Sequence, residues 1–114
     1  MPAPLTIPPA LRPVSFDEAA AASAIDACQR AAGAVDQALA TRAEAAATAR
    51  AEWRGPYRDR FDEELAVLDR RAIVLAADLR RAAATISEAR EGARVQNASR
   101  REARILWERS QLAG

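Results

Sequence analysis

The 114-residue chain predicts an all-α fold, an antiparallel two-helix hairpin expected to pair into a four-helix bundle dimer. Three observations predict it. Apolar residues recur at alternating steps of three and four along two long stretches, a Gly-Pro corner separates those stretches, and nowhere do apolar and polar residues alternate as in a strand. Composition agrees: half the residues are apolar but only 4% are aromatic, and Ala alone makes up more than a quarter of the chain, as in a sequence of high helix propensity throughout. The length suits one domain. A two-helix hairpin has a thin core, because each helix covers only one stripe of the other.

The first element is an arm over residues 1–14. Pro2, Pro4, Pro8, Pro9 and Pro13 deny it regular hydrogen bonding, so it is expected to be extended and disordered. It lacks the basic start and the unbroken apolar run of a secretory signal peptide. Helix one is expected over about 15–52. Ser15-Phe16-Asp17-Glu18 reads as a capping box, with the Ser15 hydroxyl accepting a first-turn N–H while Glu18 reaches back. Its seam runs through Ile25, Cys28, Ala32, Val35, Leu39, Arg42, Ala46, Ala49 and Trp53, with Arg42 the one polar intruder.

The corner is Trp53-Arg54-Gly55-Pro56. Gly enters the left-handed region without steric cost, and Pro after it cannot continue the old helix but fits the first turn of a new one. Helix two is expected over about 56–93, with a seam through Phe61, Leu65, Leu68, Ala72, Leu75, Leu79, Ala82, Ile86, Ala89 and Ala93 and no polar interruption. Large side chains of helix two would rest on the alanines of helix one. Val67, Ile73, Val74 and Ala77 lie beside this seam and are the candidate partner interface.

Residues 94–114 form an overhang of helix two and a flexible tail. At about 1.5 Å per residue, helix one ends before it can cover residues beyond Ala93. Ile105, Leu106 and Trp107 therefore join the candidate partner interface. A second chain is the first expectation for their cover, and contact with a membrane interface the second.

Charge and chemistry exclude several function classes. With 17 basic and 16 acidic residues, no His and one Cys, the chain offers no His-Cys metal set and no Ser-His or Cys-His nucleophile pair. No Gly-rich phosphate loop is present. The chain is read as a non-enzyme without cofactor, metal or catalytic residues, and Cys28 as a small buried hydrophobe. The basic tail residues Arg94, Arg100, Arg101, Arg104 and Arg109 have no aromatic interleaving, so no nucleic-acid partner is expected.

Two long helices in about a hundred residues, a Trp53-Arg54-Gly55 corner at the midpoint and Phe61 shortly after it resemble the WXG family, the small ESAT-type proteins of type VII (ESX) secretion systems. The resemblance covers roughly Ser15 to Ile105. It implies a hairpin that pairs as a homodimer or heterodimer with another small helical-hairpin protein, engages the type VII machinery, and leaves the cytoplasm folded, without a cleaved signal peptide, for the medium or the cell surface. By the same resemblance Trp53 and Gly55 are half of a composite export signal whose other half is a Tyr-x-x-x-Asp or Tyr-x-x-x-Glu tail on the partner. This chain departs from the tail pattern. Its one Tyr is Tyr57, and the nearest tail analogue is Trp107-Glu108-Arg109-Ser110-Gln111, so the chain suits a substrate whose partner supplies the tail, or an adaptor of a larger exported protein. The competing reading is an intracellular coiled-coil interaction protein unrelated to secretion.

Overall fold

The computed structural model describes residues 6–113. Within them a single 3-10 turn, Pro9–Leu11, precedes two helices, α1 over Glu18–Glu52 and α2 over Pro56–Ala113, and no strand occurs among the described residues. The molecule is a rod with extents of 90 × 17 × 17 Å. Its length is that of α2 alone, since 58 helical residues span about 87 Å.

Cross-helix ion pairs record the antiparallel register. Arg50 reaches Asp62 at 2.6 Å near the corner, Arg42 reaches Asp69 at 3.1 Å, Arg80 meets Asp36, and Arg90 meets Glu18 at 2.6 Å at the open end. Arg42, which looked like an intruder on an apolar seam, is thus a seam residue with a partner. These pairs are half-exposed, where solvent screens their attraction, so they set register more than stability.

The start of α1 differs from the expected capping box. Asp17, in extended backbone, is the N-cap, and its Oδ1 accepts the Ala20 N–H at 2.9 Å. Asp17 is one of the strongest capping residues and already serves the first turn. Glu18 is then free to cross the hairpin to Arg90 and Arg94.

The seam of α2 is also corrected. Phe61, Leu65, Ala72, Leu79, Ile86 and Ala93 do face α1, but Leu68, Leu75, Ala82 and Ala89 are exposed, and the row one residue later, Asp69, Ala76, Ala83 and Arg90, takes their place. The buried residues explain why. They are Ala21, Ala32, Ala46, Leu65, Ala76, Ala83 and Ala93, so the helices touch mostly through methyl groups. Leu68 and Leu75 at the contact would hold the axes apart, whereas Ala76 and Ala83 let them close in and bring Asp69 within reach of Arg42.

Both ends of the chain differ from expectation. Of the arm over residues 1–14, expected to be disordered, residues 1–5 lie outside those described, but residues 9–14 lie back along α2. The Asn97 side chain accepts the Val14 N–H at Oδ1 and donates from Nδ2 to the Val14 carbonyl, and Arg100 donates to the Arg12 carbonyl at 2.8 Å. The overhang of α2 therefore does have a neighbour from its own chain. Nor does α2 loosen into a flexible tail: it stays helical through Ala113, passing Gly92, where a side chain would meet nothing within 4 Å.

Candidate interaction site at the hairpin corner

The corner is built from backbone terms first. Trp53 leaves the helix in extended conformation (φ −90°, ψ 138°) while its N–H still donates to the Ala49 carbonyl at 2.9 Å. Gly55 has φ +92°, the one positive φ among the described residues. A Cβ there would meet no atom within 4 Å, so glycine is needed for its backbone freedom and not for space. Pro56 opens α2, and the Arg58 N–H donates to the Gly55 carbonyl at 3.1 Å.

Trp53 and Phe61 then pack edge to face, with ring centroids 5.2 Å apart and planes at 90°. Even so, Trp53 is 49% exposed, an unusual state for so large an apolar ring. Tyr57 is more exposed still. Trp53, Tyr57 and Phe61 recur every four residues around the turn and line an open depression with Arg54, Arg60 and Glu64. Aromatic faces with guanidinium groups at the rim suit a protein surface carrying apolar and acidic groups. The sequence reading assigns Tyr57 no site role; its four-residue spacing from both Trp53 and Phe61 is the signal that it belongs here.

The other expected interface residues fall in two groups along α2. Val67 and Val74 are exposed on the side of α2 facing away from α1, whereas Ile73 and Ala77, also exposed, lie round towards one flank. In the overhang, Ile105 and Leu106 are exposed, but Trp107 continues the α2 seam on the side that carries Asn97 and Arg100 and is half-buried. The apolar cluster is thus divided between the arm side and solvent.

Electrostatics are organised at the open end. Hydrogen bonding from Arg90 holds the Glu18 carboxyl below its ordinary pKa; partial desolvation opposes this, and Arg94 adds to the lowering. Cys28 is a free thiol, half-buried on the seam of α1. Among the described residues no group of three or more His, Cys, Asp or Glu is placed to hold a metal ion, and no helix is long and apolar enough to cross a membrane. No family model, curated protein or solved structure matches the chain.

Proposed function

We propose that the chain is a small non-enzymatic interaction protein, a type VII secretion substrate or adaptor that pairs with another helical hairpin and presents its Trp-x-Gly corner as part of a composite export signal. The observation that carries this reading is the exposure of Trp53. A tryptophan needed only to seal the end of the hairpin would be covered, whereas this one keeps half its surface in water beside Tyr57, where a recognition factor can bury it. Gly55 acts through the turn, by aiming Trp53. The partner provides the tail half of the signal, because the C-terminal segment here has no Tyr-x-x-x-acid pattern.

The intracellular coiled-coil reading is favoured by one observation, the same missing tail motif. The two part company on export. The chain is followed in culture medium with and without a co-expressed small helical-hairpin protein that bears a Tyr-x-x-x-acid tail, beside a lysis marker, for the wild type and Trp53→Ala, with a thermal melt of each. The expected result is partner-dependent export that Trp53→Ala reduces more than it reduces folding, with Gln111→Ala doing little. Retention in the cell with every partner present, or export untouched by a folded Trp53→Ala protein, leaves the intracellular reading standing.

A further inference from the structure

Positive charge collects at the open end of the rod. Beyond Ala93, α2 carries Arg94, Arg100, Arg101, Arg104 and Arg109 against only Glu102 and Glu108. Two of these arginines are already engaged, since Arg94 donates to Glu18 at 3.1 Å and Arg100 to the Arg12 carbonyl at 2.8 Å. Arg101 and Arg104 form no ion pair or hydrogen bond among the described residues. Yet they line one open depression, together with Arg94, Asn97, Ala98 and Pro13. The arm supplies its outer wall, held in place by the two hydrogen bonds between Val14 and Asn97.

We infer that this depression is a docking site for a short peptide segment of a protein partner that carries acidic and apolar side chains. It lies at the far end of the hairpin from the Trp53 corner and does not depend on export. The first argument is charge complementarity. Arg101 and Arg104 are one helical turn apart, so their like charges repel, and Glu108, a turn further on, forms no ion pair with either. A carboxylate placed between the two guanidinium groups relieves that repulsion and accepts charge-assisted hydrogen bonds from both. The second argument is the apolar lining. Pro13 and Ala98 flank the arginines, and Ile105, 41% exposed, continues the row of Ala98 and Arg101 at steps of three and four. An apolar side chain next to the acid therefore finds cover. The third is extent. Glu91, Glu102 and Glu108 stand around the site on α2, where they repel the continuous run of phosphates that a nucleic-acid backbone or an anionic bilayer brings. A short peptide fits between them.

The test is fluorescence anisotropy of a short labelled peptide of glutamate and leucine titrated with the full chain, beside a lysine-leucine peptide, phosphatidylserine vesicles and duplex DNA. The glutamate-leucine peptide is expected to bind, and to bind less well as salt rises, while the lysine-leucine peptide does not bind. Arg101→Gln is expected to lower the affinity roughly tenfold, and the Arg101→Gln, Arg104→Gln pair to abolish it with the helix signal unchanged. Arg70→Gln, on α2 but away from the site, leaves it as in the wild type. Should the pair lose helix, Arg101→Gln alone, at an exposed position, decides. Peptide affinity untouched by a folded Arg101→Gln protein overturns the proposal, as does a wild type that binds no peptide. Tighter binding of the vesicles or the DNA than of the peptide overturns it too, and so does peptide binding that survives the pair and is lost in Arg60→Gln, which places the peptide at the corner. Peptide binding lost from the open end in a chain whose export still needs Trp53 sinks this site and leaves the secretion reading intact.

Discussion

Gly55 and Glu18 show how single residues act at the two ends of the rod. At Gly55 the cost of substitution is purely one of backbone conformation, because φ is +92° and nothing stands where a Cβ would go. Gly55→Ala is expected to destabilise the hairpin by roughly 1–2 kcal/mol, and Gly55→Asn by less, since Asn tolerates the left-handed region better. Denaturant melts of the three proteins check the order. At Glu18 the folded carboxyl has a lowered pKa, chiefly through Arg90. Its stabilising contribution is therefore present above the unfolded glutamate pKa and is lost as pH falls through the folded one. The wild type is expected to melt above Glu18→Gln at neutral pH, and the two midpoints should converge in acid. A gap independent of pH would mean that the carboxylate's charge is not what Arg90 and Arg94 recognise.

Among the elements, α2 shows how little separates one seam from another. Leu75 and Ala76 are neighbours in sequence, yet Ala76 is buried against α1 and Leu75 is half in water. Ala76→Asp places an unpaired charge in the contact and is expected to cost about 3 kcal/mol or more, enough to abolish helix signal in a thinly cored chain. The arm is a separate case, because its hold on α2 is mainly polar. Asn97→Ala removes both hydrogen bonds to Val14, a loss of about 1–3 kcal/mol. Hydrogen exchange at the Val14 amide should accelerate while the seam amides of α1 keep their protection, since the hairpin does not depend on the arm.

For the whole molecule, a 90 Å rod 17 Å across has more surface than its contents can cover. Among the described residues six of the seven buried apolar ones are alanines, and each methyl contributes little burial energy. Stability borrowed from association depends on concentration by mass action. The melting midpoint is therefore expected to rise over a hundredfold increase in chain concentration, and a midpoint that stays fixed would show that one hairpin is sufficient. The same slenderness makes the corner prominent: Trp53 and Tyr57 sit at one tip of the hairpin, far from the open end where Glu18 is tied to Arg90 and Arg94.

The sequence by itself determined the helices and the corner. Alanine-rich three-four periodicity, Gly55 followed by Pro56 and the absence of any strand pattern are local signals, and local backbone energetics are enough to read them. Trp53 was legible as a candidate for the same reason, being a lone large aromatic at a turn. Only the tertiary structure decided which of two adjacent rows on α2 became the seam, since Leu68 and Asp69 differ by 100° of helix rotation and the choice depends on how closely α1 approaches. It also decided the fate of the arm, whose prolines show what it does not form but not that Asn97, 83 residues away from Val14, would take up its backbone groups. Both outcomes depend on contacts between distant parts of the chain, which local propensity does not encode.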